Sequence, residues 1–180
     1  MKGEKTMIIT LKDGSKKEYA EAKAVIYIAY DISEGLARAA CAGEVNGEVV
    51  DLRTVLDSDC ELNILTAKDE KGLAVLRHTA SHVMAQAVQN LYPEAKVAIG
   101  PSIDTGFYYD FDHEPFSRED LDAIEKEMKK IIKKGAKIER FTKSREDAIA
   151  YFKEKNEPYK VELIEDLPEG EEISFYSQGD

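Results

Sequence analysis

The fold of the first part of this chain is decided by the stretch Met7-Ile8-Ile9-Thr10-Leu11-Lys12-Asp13-Gly14-Ser15. Its apolar and β-branched run predicts a strand, and a second short strand is predicted at Lys16–Tyr19. Asp-Gly between two such runs is a strong hairpin signal, because glycine accepts the positive φ that a tight turn demands. We therefore expect a β-hairpin here.

The pattern that follows continues with one helix and more strands. The spacing of Ile32 and Leu36 predicts a helix that stops at Gly43. Asn46-Gly47 predicts a second tight hairpin, and residues 60–65 alternate as a strand does. The order ββαβ(β)β within about 60 residues is typical of the β-grasp, ubiquitin-like fold.

A short charged run at 67–72 separates this unit from a second one. We predict two domains, residues 1–68 and residues 69–180, of α+β class overall. The second domain is expected to open with a long helix at Glu70–Leu91, which Pro93 ends. It reads as a partial α/β domain in which this helix, which carries histidines, packs near a sheet.

The remaining elements of the second domain follow from caps and alternation. Residues 96–111 are strand-like with a turn near residues 104–106, and a helix is predicted between Ser117 as N-cap and Gly135. Further along, the pattern predicts a strand at 137–141, a helix from Ser144 to about residue 155, and a strand at 171–176. The chain then stops without a polar tail, which favours a piece of a longer protein.

Composition excludes several classes of protein. The net charge of −11 argues against binding nucleic acid through a general basic field, although a local phosphate-contacting patch stays open. The two cysteines have no CxxC spacing, so neither a disulfide scaffold nor a cysteine-rich zinc site is expected. No apolar run approaches the roughly 20 residues of a membrane helix. A reduced cytoplasmic protein is the expectation.

The sharpest chemical signal is the motif Arg77-His78-Thr79-Ala80-Ser81-His82. Histidines at i and i+4 share one helix face, with Cβ atoms about 5–6 Å apart. They lie opposite a predicted core stripe that consists of Leu76, Ala80, Val83 and Ala87. Such a pair fits two metal ligands, or a general base with a partner, or a solvated face. Two ligands alone leave a zinc site incomplete, so metal binding at this pair stays open.

For two other segments, the sequence is consistent with both a binding role and a purely structural role. Alternation in Gly106-Phe107-Tyr108-Tyr109-Asp110-Phe111 places aromatic rings on one face, where they either stack a base or form a core strand. The second segment is a run of lysines on the helix after Ser117, which either touches phosphates or is a solvated face. These lysines are Lys126, Lys129, Lys130, Lys133, Lys134 and Lys137.

Together these segments resemble the N-terminal half of a bacterial threonyl-tRNA synthetase. Residues 31–37 and 45–52 resemble the TGS domain that begins those enzymes. The histidine motif, residues 98–101 and 106–111, and Pro158-Tyr159-Lys160-Val161-Glu162-Leu163-Ile164 resemble their editing domain. In that family the editing site hydrolyses the ester of serine wrongly attached to tRNA(Thr).

The resemblance implies roles for individual residues. His78, His82 and Lys160 are then catalytic, with the histidines positioning or activating water and the lysine contacting substrate or developing charge. Tyr109, Asp110, Gly100 and Pro101 are then substrate-binding. The family adds an Asp and a Cys-x-x-x-His pair, which are expected beyond residue 180, so this piece alone is expected to be inactive.

The resemblance also implies partners and cofactors. The acceptor end of tRNA(Thr) is the expected partner, and no cofactor is expected within these residues beyond the open question of zinc at His78 and His82. ATP and a zinc ion belong to the synthetase core, through which the parent enzyme is expected to dimerise, while the piece is expected to be monomeric. Two alternatives remain, a TGS-containing RNA- or protein-binding module without chemistry and an alanyl-type editing hydrolase.

Overall fold

The computed structural model describes residues 6–170 and 173–178, and the chain divides into two compact units, residues 1–77 and 78–180. The division falls inside a long helix, so the domain boundary that the sequence places after residue 68 stays a prediction. No helix in the described part of the chain is long and apolar enough to cross a membrane.

From residue 6 onward, the first unit contains seven strands and two short helices before the long helix begins. They are β1 (Met7–Leu11), β2 (Lys16–Tyr19), β3 (Lys23–Ala24), α1 (Val25–Ile32), α2 (Glu34–Ala39), β4 (Ala40–Val45), β5 (Glu48–Val50), β6 (Val55–Leu56) and β7 (Cys60–Thr66). The long helix is α3 (Glu70–Leu91).

Five of these strands form one sheet in the order β2-β1-β7-β4-β5. Strand β1 runs parallel to β7, and the other neighbours are antiparallel. Both predicted hairpins are confirmed: β1 turns into β2 through Asp13-Gly14, and β4 turns into β5 through Asn46 and Gly47, whose φ angles are 49° and 89°. Helix α1 contributes Val25, Ile28 and Ala29 to a core shared with the sheet, which also includes Ile9 and Leu62.

The predicted helix of this unit is wrong in its extent. The structure has helix α1 before Ser33, which caps a second short helix α2 through its hydroxyl, and α2 ends at Ala39. Gly43 is no helix stop, because it lies in strand β4 opposite Val50 and Ile64. A Cβ on Gly43 would lie 2.8 Å from Val25 Cγ1, so glycine here allows α1 to pack closely on the sheet.

Within its described residues, the second unit contains the greater part of α3 and nine further elements. They are β8 (Lys96–Val97), β9 (Ser102–Ile103), β10 (Gly106–Phe107), β11 (Phe111–Asp112), α4 (Arg118–Lys134), β12 (Ile138–Lys143), α5 (Arg145–Glu154), α6 (Pro158–Glu165) and β13 (Ile173–Gln178). The strand-like segment predicted at 96–111, with a turn near residues 104–106, consists of four short strands, paired as β8 with β11 and β9 with β10, and the turn lies between β9 and β10. The first two residues of the predicted strand at 171–176 lie outside the described residues.

Local capping signals are confirmed in this unit. Ser117 and Asp120 form a capping box at the start of α4, and Gly135 ends the helix in the left-handed region at φ 59°. Ser144 caps α5 by accepting a hydrogen bond from the backbone of Asp147.

Helices α3 and α4 share one buried cluster, which includes Val83, Ala87, Val88, Ile124 and Ile131. Helices α5 and α6 share another with β13, made of Ala148, Phe152, Val161, Ile164 and Ile173.

Candidate functional site

The histidine pair lies on α3 as predicted, and its two rings touch. The Nε2 atoms of His78 and His82 are 3.1 Å apart, and the rings meet edge to face with centroids 4.6 Å apart. A hydrogen bond between two ring nitrogens needs one donor and one acceptor, and a doubly protonated ring has no acceptor. Therefore this contact holds only while at least one of the two imidazoles is neutral.

His82 is neutral at physiological pH. Burial, then the charge of His78 and then that of Lys160 together lower its pKa from 6.5 to about 4. The ring still reaches solvent at its surface. It therefore offers an uncharged acceptor nitrogen at the protein surface beside a cationic side chain.

The face of α3 that carries the histidines is more covered than the sequence indicated. Ser81 is 0% exposed and Ala85 is 6% exposed, although neither belongs to the predicted core stripe. The predicted core stripe is correspondingly wrong at Leu76, which is 45% exposed. The physical reason is that elements of the second unit pack on two sides of α3, so a single stripe does not describe its burial.

Ser81 connects the histidine helix to the segment at Gly100. Its Oγ lies 2.7 Å from the carbonyl oxygen of His78 and 3.0 Å from that of Gly100, and its single hydrogen donates to these acceptors. A Cβ on Gly100 would overlap the Tyr109 ring, so the Gly100 backbone lies directly against that ring. Ser81 of α3, Gly100 and the Tyr109 ring therefore form one continuous set of contacts.

Tyr109 and Gly100 are the two predicted substrate-binding residues in this set of contacts, and the Tyr109 side chain forms its outer part. Its ring packs almost parallel to Phe111, with centroids 5.1 Å apart. Burial raises the pKa of its hydroxyl, and the nearby charge of Glu157 raises it further. Tyr109 therefore stays protonated and able to donate a hydrogen bond at neutral pH.

Among the described residues, Pro101 and Asp110 have no comparable link to the histidine pair. Asp110 pairs through its backbone with Ala98 and Ile99, and its side chain is exposed. Within residues 6–170 and 173–178, no side-chain hydrogen bond joins Asp110 or Pro101 to the histidine pair. Their assignment as substrate-binding residues stays a prediction.

Lys160 approaches the histidines from the first turn of α6. Its Nζ lies over the Phe152 ring, 5.2 Å from the centroid, and burial lowers its pKa while the carboxylate of Glu157 acts in the opposite sense. Its charge is close enough to His82 to lower the pKa of that ring. The structure thus brings together three residues that lie up to 82 positions apart in sequence, His78, His82 and Lys160.

Sequence analysis did not identify Gln86 and Gln89 as part of the candidate site on α3. Gln89 Nε2 donates a 2.7 Å hydrogen bond to Oε1 of Glu157, which fixes the start of α6 against α3. The second oxygen of Glu157 and Oε1 of Gln86 are buried, and neither has a hydrogen-bond partner among the residues that the structure describes. Gln86 and Gln89 share a helix face with the histidines at 100° per residue, a signal that could have identified them.

The geometry of the histidine pair does not by itself establish a metal site. Two zinc ligands at 2.0–2.1 Å in a tetrahedral site have nitrogens about 3.3 Å apart, which the pair nearly matches. However, no group of three or more histidine, cysteine or acidic side chains suited to a metal occurs within the described ranges. Zinc at His78 and His82 stays an open prediction.

The first unit matches a known family. Residues 7–66 match the family model described as the TGS domain. The match covers the sheet β2-β1-β7-β4-β5 and both helices packed on it, so the predicted β-grasp-like unit is confirmed.

Beyond the TGS domain, nearly the whole chain is similar to curated threonine--tRNA ligases. It is 65% identical over 173 residues to the protein of that name from Acetivibrio thermocellus, an alignment that covers 96% of this chain and 27% of the relative. Identity is 57% over 177 residues with that of Caldanaerobacter subterraneus subsp. tengcongensis, covering 98% and 28%. It is 59% over 173 residues with that of Clostridium botulinum strain Hall, covering 96% and 27%.

The chain therefore spans little more than a quarter of the length of these relatives. The resemblance to the N-terminal region of threonine--tRNA ligases, with a TGS domain at its start, is confirmed.

Proposed function

We propose that this chain is the N-terminal region of a threonine--tRNA ligase and that its second unit takes part in hydrolysis of seryl-tRNA(Thr). The observation that carries the proposal is the contact between His78 and His82, with Lys160 beside it. The identity to threonine--tRNA ligases supports the parent activity, which attaches threonine to tRNA(Thr) with ATP.

A hydrolytic site has a physical reason in such an enzyme. Serine lacks one methyl group of threonine, and a binding pocket discriminates against such a loss by only about 1–3 kcal/mol. A second site that hydrolyses the wrong ester raises the accuracy beyond this limit. Such a site needs a positioned water, a proton acceptor and a group that stabilises the oxyanion.

The three residues divide these tasks. A water that enters between the two Nε2 atoms replaces their mutual hydrogen bond and donates to one ring as it attacks the ester carbonyl. Because the pKa of His82 is about 4, this ring accepts a proton poorly at neutral pH and serves to orient the water. His78 then takes the proton, and the Lys160 ammonium faces the negative charge that develops on the carbonyl oxygen. When this intermediate collapses, the bond from the carbonyl carbon to the ribose oxygen breaks and His78 returns the proton to that oxygen, which releases serine and tRNA(Thr).

The partner and setting follow from the same proposal. The partner is the acceptor end of tRNA(Thr), the parent is a cytoplasmic homodimer that assembles through its core, and the 180-residue chain alone is monomeric and inactive in hydrolysis. Inactivity fits the site, because within the described residues no carboxylate or thiol joins the histidine pair. The rival proposal, a TGS-containing binding module without chemistry, is favoured by no contact of these residues.

The experiment compares histidines within one protein. In the full-length enzyme, His78→Ala combined with His82→Ala should slow deacylation of seryl-tRNA(Thr) by about 10²–10⁴-fold, the usual cost of losing a general base. Charging with threonine should be unchanged. The matched control is His113→Gln, because His113 stacks on Phe116 away from the pair and should leave deacylation intact. Normal deacylation in the double variant would support the binding-module alternative.

A further inference from the structure

Two lysines flank one tyrosine ring near the candidate site. Lys143 ends strand β12 and its Nζ lies 4.9 Å from the centroid of the Tyr151 ring. Lys155 follows helix α5 and its Nζ lies 4.6 Å from the same centroid. We call Lys143, Tyr151 and Lys155 the lysine–tyrosine cluster. The two ammonium groups can be no further apart than the sum of these distances, so they hold two positive charges close together.

The charge of this cluster is not neutralised by ion pairs. In the described part of the chain, neither Lys143 nor Lys155 forms a salt bridge with a carboxylate. The lysines of helix α4 differ, since Lys129 pairs with Glu125 at 2.5 Å and Lys130 pairs with Glu127 at 3.0 Å. An aromatic face attracts each ammonium only modestly, whereas the two like charges repel one another. An anion bound at the cluster relieves this repulsion.

The cluster is continuous with the candidate site. Lys155 lies close enough to Lys160 to lower the pKa of that ammonium, and Lys160 acts in the same way on His82. Lys143, Lys155, Lys160 and the histidine pair thus follow one another, with the Glu157 carboxylate as an opposing charge near Lys160. This local excess stands out in a chain whose net charge is −11.

We propose that the lysine–tyrosine cluster binds the phosphate backbone of a single-stranded nucleic acid whose 3′ end reaches the His78–His82 pair. This inference rests on the proposed function, because it names how the same site holds its nucleic-acid partner. Spaced point charges fit a chain of phosphates, and the two ammonium groups, 4.9 and 4.6 Å from the Tyr151 centroid, compete with a base for stacking on that ring. The contact therefore orients the strand without reading its sequence.

The test measures the salt dependence of RNA binding. A short fluorescent single-stranded RNA that ends in CCA is titrated with the 180-residue chain, by anisotropy, over a series of KCl concentrations. Each phosphate contact in a single strand contributes about 0.7 to the slope of log K against log salt. Lys143→Gln with Lys155→Gln should therefore reduce the slope by about 1.4. Lys143→Arg with Lys155→Arg should preserve it.

A matched control is available on α4. Lys129→Gln with Lys130→Gln removes the same charge from lysines that are paired with glutamates, and it should leave the slope unchanged. Thermal melting of each variant shows that the fold persists. A slope equal to that of the wild type in the Lys143/Lys155 variant, or an equal reduction in the α4 variant, overturns the cluster as the phosphate contact. Competition by polyglutamate as strong as by RNA also overturns it, in favour of an acidic peptide as the occupant.

Failure of this inference differs from failure of the proposed function. If the full-length enzyme hydrolyses seryl-tRNA(Thr) but the slope does not respond to the cluster, only the phosphate contact is wrong. If the wild-type chain binds the RNA with a slope that depends on the cluster, while His78 and His82 prove irrelevant to hydrolysis, the phosphate contact stands and the proposed function fails. If the wild-type chain does not bind the RNA, the phosphate contact is wrong.

Discussion

The ionisation of His82 can be tested directly by replacing its neighbour Lys160 with glutamine. The pKa of His82 is lowered from 6.5 to about 4 by burial first, by His78 second and by Lys160 third. The smallest of three causes supplies at most a third of a lowering of about 2.5, so Lys160→Gln should raise the pKa by at most about 0.8. Burial remains, so the ring should still titrate well below 6.5.

The assay is an NMR titration of histidine ring signals. The chain has three histidines, so one His→Gln variant for each is enough to assign the signals. The ring of His113 is held by the Glu114 carbonyl and the Phe116 ring, and its signal is assigned first so that it is not confused with that of His82. A His82 signal that titrates at 6.5 or higher in the wild type, or that moves down in Lys160→Gln, would refute the reasoning.

The same lowered pKa predicts how stability depends on pH. The unfolded chain binds a proton near pH 6.5 and the folded chain binds it only near pH 4, so the free energy of unfolding is highest above 6.5 and falls as the pH drops towards 4. The upper bound of the loss is about 3 kcal/mol, which solvent at the exposed ring reduces to about 1–2 kcal/mol. In His82→Gln, urea denaturation between these pH values should show a smaller loss.

Close packing around three small residues gives three further expectations, each checked by urea denaturation. Ser81→Ala removes the hydroxyl donor to the Gly100 carbonyl and should cost about 1–2 kcal/mol. Gly100→Ala places a methyl group into the Tyr109 ring and should lower the free energy of unfolding by about 1–3 kcal/mol. Combining it with Tyr109→Leu should recover part of this loss. Gly43→Ala crowds Val25 and should cost about 1–3 kcal/mol, so stability equal to the wild type would contradict the close approach of α1.

Rules that act within a few residues predicted their elements well. Asp13-Gly14 and Asn46-Gly47 gave both hairpins, and Ser117 with Gly135 gave both ends of α4, because turn and cap chemistry depends only on neighbours in sequence. Gly43 shows the limit. It looks like a helix stop locally, but its place in a sheet is set by pairing with β7 and by contact with Val25, which spacing does not reveal.

In the candidate site too, local features were predictable from the sequence and long-range contacts were not. The shared face of His78 and His82 followed from helical periodicity, and the structure confirms that their rings touch. The hydrogen bond between Gln89 and Glu157 joins residues 68 positions apart, and no local pattern indicates it. Burial of Ser81 was missed because the sequence does not show that a second element covers that side of α3.

The parallel pairing of β1 with β7 has a consequence for how the TGS domain folds. These strands lie at residues 7–11 and 60–66, nearly at opposite ends of the domain sequence, yet they are neighbours in the interior of the sheet. Contacts of such long range are slow to form, because the intervening chain must be closed into a loop before any hydrogen bond rewards it. During synthesis the two hairpins can form early, but they have no common neighbour until β7 leaves the ribosome. The domain should therefore become resistant to protease only after residue 66 has emerged, and a nascent chain that ends before β7 should remain open to cleavage.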